Sequence, residues 1–167
     1  GYRGTVMKPG AHGGVELEAR CGARAASPGI IAGTLEAGEW RIVIDHSPGT
    51  CNAAYELRAA YSTEGDAEGR LALPDAHQLG QLPGWYRGEL HAHSAESDGR
   101  KPAAEVAAVA EAAELDFIAL TDHFTVSGWY HMRRALTGRT LLVRGCEVTS
   151  RRGHANLLGM STPLDPL

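Results

Sequence analysis

Apolar and polar residues alternate through much of the first half of the chain. The alternation is clearest in the stretches "GVELEARCG" (14–22), "GEWRIVIDHS" (38–47) and "AAYELRAAYS" (53–62). A period of two puts successive side chains on opposite faces, which is typical of strands with one face in water. Because glycine and proline separate these stretches, we predict a small all-β, sandwich-like domain over residues 1–75, followed by a linker at 76–86.

The second half changes to a helical period. In "PAAEVAAVAEAAEL" (102–115), apolar residues recur at helical spacing. This spacing predicts an amphipathic helix whose buried face carries Val106, Val109, Ala110 and Ala113. Pro102 fits the first turn of such a helix.

Short apolar runs before and after this helix indicate strands. They are "ELHAH" (89–93), "DFIAL" (116–120), "TLLVRGCEV" (140–148) and a run in "HANLLGM" (154–160), with a further helix expected near 128–136. Alternating strands and helices favour βα units in a parallel sheet or barrel. The predicted fold class is therefore α/β, with the all-β domain first and a βα domain over residues 87–167.

Charge and composition restrict the range of partners. The chain has 16 basic and 20 acidic residues, a net charge of −4, and neither half forms a basic module. A nucleic-acid partner is therefore not expected. No apolar run approaches the roughly 18 residues of a membrane span, so no membrane association is expected. We expect a cytoplasmic protein, with a removed secretion leader as the open alternative because the sequence does not begin with methionine.

Cysteine gives no metal motif. The three residues Cys21, Cys51 and Cys146 form no CxxC pair, so a thiolate zinc site is not expected. We interpret them as reduced thiols.

Histidines and an aspartate cluster in "GELHAHSAESDGR" (88–100). If "ELHAH" is a strand, Glu89, His91 and His93 lie on one face, and two imidazoles at this spacing can bind one divalent ion. Asp98 follows where the chain turns before the helix, at the strand end where α/β folds place their sites. The alternative is a polar loop that contains histidine by chance.

Three further strand ends carry similar residues. Asp122 and His123 follow an apolar strand, Glu147 ends the next one, and His154 begins the last. Singly, Asp122 or Glu147 could cap a turn, and His154 could be a core histidine. Together they bring imidazole and carboxylate ligands to one edge, which suits Zn²⁺, Mn²⁺ or Fe²⁺. Because the candidates exceed the four ligands of one tetrahedral ion, two or three metals sharing a carboxylate are favoured.

The chain also resembles a known superfamily in this region. The motifs "GELHAHS", "SDG", "LDFIALTDH", "GCEVTS" and "GHANLLG" are similar to the successive motifs of the PHP (polymerase and histidinol phosphatase) superfamily, and most of all to CehA/McbA-like metallohydrolases. The segment "SPGIIAGTLEAGEWRIVI" (27–44) resembles the β domain that precedes the catalytic domain in that subgroup. The resemblance implies the first part of a distorted seven-stranded (β/α) barrel with two or three metals.

The resemblance also implies a role for each candidate residue. One metal would be held by His91 and His93, and another by Asp98 and His123. Glu147 would bridge metals and hold a metal-bound hydroxide, and His154 would complete the second ion. Asp122 and Glu89 would lie outside the ligand set, with Asp122 orienting a ligand or a water. The remaining histidines are His12, His46, His77 and His131, and we assign them no function.

The family has further ligands that this sequence lacks after His154. We therefore expect the remaining ligands from residues beyond 167 or from another chain. The implied function is a metal-dependent hydrolase acting on a small anionic ester, with a phosphoesterase first. The alternatives are a carboxylic or carbamate ester hydrolase and a non-catalytic, metal-stabilised binding protein. A nuclease role fits the acidic balance less well.

Overall fold

The computed structural model describes residues 18–23, 25–35, 37–42, 56–61, 83–150 and 152–164. Within them lie four strands and two helices: β1 (Gly88–Ala92), α1 (Ala103–Ala112), β2 (Phe117–Leu120), α2 (Ser127–Ala135), β3 (Leu141–Ser150) and β4 (Gly153–Leu158). The strands form one mixed sheet in the order β1-β2-β3-β4. Each element that the hydrophobic pattern predicts after residue 87 is present within a few residues of its expected bounds.

The first three strands are parallel. β1 pairs with β2 and β2 pairs with β3, and each neighbouring pair is connected through a helix. Parallel strands need such a crossover because a tight turn cannot return the chain to the same end of the sheet. As a result, the carboxyl ends of β1, β2 and β3 meet at one edge.

The last strand differs from the parallel arrangement that we predicted. β4 runs antiparallel to β3, with Ser150 opposite Gly153 and Gly145 opposite Leu158. Only two residues separate these strands. A connection this short can form only a hairpin, which explains the reversed direction.

The buried face of α1 also differs from the prediction. Val109 is 58% exposed, whereas Ala103, Ala107 and Ala110 are buried and Val106 is partly buried. Only Ala110 of the predicted face is buried in the core. α1 contacts α2, and the side chains that α1 buries are alanines, which are small enough to allow a close approach. The larger apolar side chain of Val109 therefore did not mark the buried face.

Trp129 is the largest fully buried side chain of the described residues and anchors α2 against the sheet. Its indole Nε1–H donates a 2.8 Å hydrogen bond to the carbonyl oxygen of Gly145 in β3. A buried indole needs such an acceptor. This contact fixes α2 directly above the strand that carries Glu147.

The predicted N-terminal β domain lies mostly outside the described residues. Of the described part before residue 88, one isolated antiparallel bridge joins Cys21 and Ala26. The all-β domain therefore stays a prediction. One finding concerns its boundary: Ile31 is 1% exposed and packs in the same core as α1 and α2. Part of the predicted first domain therefore packs on the second.

Of the two described helices, neither is long and apolar enough to cross a membrane.

Candidate metal centre

The six predicted metal ligands meet at one edge of the sheet. They form three overlapping groups whose ligand atoms lie within 4.8 Å of one another. The groups are His91, His93 and Glu147; His93, Asp98 and His123; and His123, Glu147 and His154. These histidine and carboxylate groups could hold metal ions.

Each ligand reaches this edge from a different part of the sheet. His91 lies in β1, His93 directly after it, and His123 forms an isolated bridge with Glu147 beyond the end of β2. Glu147 lies inside β3, which continues to Ser150, and does not end the strand as we predicted. His154 arrives from the beginning of β4, because the antiparallel turn puts that end beside the carboxyl ends of the other strands.

Glu147 is the centre of the arrangement, with its side chain only 1% exposed. Its Oε2 lies 2.8 Å from Nε2 of His91 and 2.9 Å from Nε2 of His93, and its Oε1 lies 2.5 Å from Nδ1 of His154. Burial alone would raise the pKa of Glu147, but hydrogen bonds from His91 and His154 and the nearby imidazoles hold it below its usual value. The group is therefore a carboxylate with both oxygens directed at imidazoles.

Asp98 extends the cluster beside His93 and His123. Its Oδ1 lies 3.4 Å from Nδ1 of His93, and its Oδ2 lies 3.5 Å from Nε2 of His123. Nε2 of His123 also lies 3.7 Å from Oε2 of Glu147. Two ligands on one tetrahedral Zn²⁺ with bonds near 2.0–2.1 Å are about 3.4 Å apart, so these separations match those of a metal site.

The group of His91, His93 and Glu147 is more compact. The two Nε2 atoms lie 2.9 Å apart, which is hydrogen-bond distance. Ligation of one ion needs these atoms to separate by about 0.5 Å. Both histidines are on or beside an edge strand, and His91 is 48% exposed, so small rotations of the rings suffice.

Asp122 accepts hydrogen bonds from the loop between His93 and Asp98 and belongs to none of the three ligand groups. Its Oδ1 accepts hydrogen bonds from the backbone N–H of Ser94 and the hydroxyl of Ser97, and its Oδ2 accepts one from the hydroxyl of Ser94, each at 2.7 Å. Burial raises the pKa of Asp122, although hydrogen bonds from Ser97 and Ser94 oppose the shift. We predicted that this residue orients a ligand or a water, and the structure shows it holding the segment between His93 and Asp98.

Space beside Asp122 is limited. A Cβ on Gly128 would lie 2.7 Å from Oδ2 of Asp122 and 2.6 Å from Cδ2 of Leu120. The first turn of α2 therefore approaches this carboxylate closely only because residue 128 has no side chain.

Glu89 has a local role in the structure. Its Oε1 accepts hydrogen bonds from the backbone N–H groups of Leu90 and His91, both at 2.9 Å. It belongs to none of the three described groups. His131 lies on α2, half exposed and 3.8 Å from Oε1 of Glu96, and is also outside them. His12, His46 and His77 lie outside the described residues.

Thr149 is a functional candidate that the sequence reasoning missed. Its Oγ1 lies 2.6 Å from Nδ1 of His123, and it stands opposite His154 in the β3–β4 hairpin. Hydrogen bonding at Nδ1 leaves Nε2, which faces Asp98 and Glu147, as the ligand atom. The sequence did contain a signal for it. Residues 147 and 149 are two positions apart in a strand and so lie on the same face.

Replacing Thr149 by valine is expected to weaken metal binding about tenfold, in the range typical for partners of metal-bound histidines. The change removes the hydroxyl and keeps a similar shape. Metal affinity is measured by competition with a chromophoric chelator, and Thr149→Ser, which keeps the hydroxyl, is the matched control. Equal affinity in wild type and Thr149→Val would show that the hydroxyl does not orient His123.

The thiol of Cys146 is buried and lies next to Glu147 in the sequence. Burial raises the pKa of Cys146 to about 11, so the thiol stays neutral at physiological pH. The three described groups contain no cysteine. The three described groups offer only nitrogen and oxygen donors, and the identity of the metal stays a prediction.

Comparison with known protein families finds no family model that matches this chain, and a search of curated proteins finds no matching sequence.

Proposed function

We propose that this protein is a metal-dependent hydrolase of the PHP type and that its preferred substrates are phosphoesters. The observation that carries the proposal is the buried carboxylate of Glu147, with both oxygens directed at imidazoles and three overlapping ligand groups around it. The resemblance of the motifs to those of the PHP superfamily supports the same proposal and does not depend on the geometry. Divalent ions bound here would polarise a substrate oxygen and lower the pKa of water.

The residues of the chain would supply position and charge. Glu147 can contact two ions because its two oxygens face different histidines. Asp98 would hold the side of the cluster near His123, and Asp122 would fix the loop between His93 and Asp98. Since Glu147 and Asp98 carry only two negative charges, two or three divalent ions leave the site positive. An anionic substrate is therefore favoured over a neutral one.

The site is open on the side from which a substrate would approach. His91 and His154 are each about half exposed, with side chains at 48% and 53%, whereas Glu147 is buried beneath them. A substrate can therefore reach the ligand edge without passing through the core. The same exposure leaves room for further ligands at this edge.

The test is hydrolysis of a substrate panel by the purified protein with added Mn²⁺ or Zn²⁺. We expect cleavage of nitrophenyl phosphate mono- or diesters, a loss of at least about 100-fold after chelation, and recovery when metal is returned. His93→Ala should remain inactive with metal, while Glu105→Gln on the exposed face of α1 is the control because Glu105 lies outside the described groups. Activity that survives chelation and His93→Ala would overturn the proposal.

Nitrophenyl acetate and a nitrophenyl carbamate complete the panel. Preference for either of these would assign the site to carboxylic or carbamate ester hydrolysis. Bound metal without turnover of any member would instead favour a metal-stabilised binding protein.

A further inference from the structure

A distant segment of the chain is captured between two loops of the candidate metal centre. The backbone N–H of Gly29 donates a 2.8 Å hydrogen bond to Oε2 of Glu96, and its carbonyl oxygen accepts one of 2.7 Å from the hydroxyl of Thr125. Glu96 lies between β1 and α1, and Thr125 lies between β2 and α2. One glycine thus contacts both loops through its own N–H and C=O groups.

Ser127 closes these contacts into a ring. Its hydroxyl donates to Oε2 of Glu96 at 2.6 Å, and its backbone N–H donates to Oγ1 of Thr125 at 3.2 Å. Each hydroxyl proton then has one acceptor: that of Ser127 is on Glu96, and that of Thr125 is on Gly29. We call this ring of Gly29, Glu96, Thr125 and Ser127 the Gly29 clamp.

Most of the clamp is buried, and the side chain of Glu96 is 14% exposed. Thr125, Ser127 and Gly29 are buried, and Ile31, two residues after Gly29, packs among the apolar side chains of the core. Gly29 has a φ of 84°, a left-handed conformation that favours glycine. Buried polar groups that are fully hydrogen-bonded specify one arrangement, because any other leaves some of them unsatisfied.

The clamp lies beside two candidate ligands. Glu96 is two residues before Asp98, and Thr125 is two residues after His123; these ligands face each other with Oδ2 and Nε2 3.5 Å apart. Asp122 already ties the inner part of the first loop to the end of β2 through Ser94 and Ser97. The Gly29 clamp adds a separate attachment to the same loop through Glu96, which lies between Ser94 and Ser97.

We propose that Glu96, Thr125 and Ser127 are positioning residues that use the Gly29 segment to hold Asp98 and His123 at ligand spacing. The segment around Gly29 is thereby a structural component of the metal centre, although it contributes no ligand. The effect on metal affinity rests on the proposed function, whereas the effect on the loops does not. The two can be measured separately.

The experiment uses the full chain with Thr125→Val, which removes the hydroxyl, and Thr125→Ser, which keeps it. Hydrogen exchange of the metal-free protein reports the loop through the amides of Ser97 and Gly99, which bond to the carbonyl oxygen of Ser94. Zn²⁺ affinity is measured by chelator competition, well below the unfolding temperature. Glu96→Gln is the second variant, and Glu105→Gln on the exposed face of α1 is its control.

We expect faster exchange at Ser97 and Gly99 in Thr125→Val and Glu96→Gln, and Zn²⁺ binding roughly tenfold weaker, with Thr125→Ser and Glu105→Gln close to wild type. A lower unfolding temperature with unchanged exchange and unchanged affinity would overturn the clamp, since it would show a merely structural role. Wild-type protein that binds no Zn²⁺ would overturn the proposed function and the effect on affinity, while the exchange rates still decide whether the clamp orders the loop.

Discussion

Glu147→Gln is expected to lower metal affinity by more than about 100-fold. Loss of a residue that only orients a metal ligand costs up to about 100-fold, and loss of a ligand itself should cost more. Glu147 belongs to two of the three ligand groups, and each of its oxygens faces a different histidine. Glutamine keeps the size of the side chain but replaces one oxygen by an NH₂ donor and removes the charge. Metal content after gel filtration and isothermal titration with Zn²⁺ and Mn²⁺ measure the loss.

The matched control for this variant is Glu105→Gln. Glu105 lies on α1, pairs with Lys101 on the surface and takes no part in the ligand groups. It should bind metal as the wild type does. If Glu147→Gln retained the wild-type number of bound ions, the carboxylate would not be a ligand, and the reading of this edge as a metal centre would fail.

Asp122→Ala is expected to destabilise the protein by about 3 kcal/mol, because it leaves the buried N–H of Ser94 and two serine hydroxyls without their acceptor. For a chain of this length, such a loss lowers the unfolding temperature by roughly 6–12 °C. Thermal unfolding followed by circular dichroism measures it. Metal affinity should fall as well, because the loop between His93 and Asp98 loses its attachment to β2.

Asp116→Ala provides the comparison for Asp122. Asp116 also accepts a backbone hydrogen bond, from Arg87 at 2.7 Å, but at a solvent-exposed position where water can replace it. Its loss should cost below about 1 kcal/mol. If the two variants lost similar unfolding free energy, burial would not be the reason why the hydrogen bonds of Asp122 stabilise the protein.

Local patterns in the sequence predicted the elements around the site and the residues that meet there. Parity placed His91 and His93 on one face, and both contact Glu147. Apolar runs located β2 and β3, whose parallel pairing brings His123 beside Glu147. These predictions succeeded because each depends on the period of one strand or on the rule that parallel strands share an edge. The seven-stranded barrel and the N-terminal β domain stay predictions.

The features that were missed depend on contacts between distant residues. Gly29 and Thr125 are 96 positions apart, and Gly29 and Glu96 are 67 apart. No periodicity in a single sequence marks such a hydrogen bond. The buried face of α1 was misassigned for a related reason: alanines pack closely against α2, while the larger Val109 is in solvent. The direction of β4 could have been predicted, since two residues are too few for a crossover.

The overlap of the three ligand groups has a consequence for how the site fills. Each pair of groups shares one residue: Glu147 joins the first and third, His93 the first and second, and His123 the second and third. If more than one group binds metal, occupancy at one position would alter the donors that remain for its neighbours. By linkage, that influence is reciprocal. Titration with metal should depart from the isotherm of independent sites, and the departure measures the coupling free energy within the cluster.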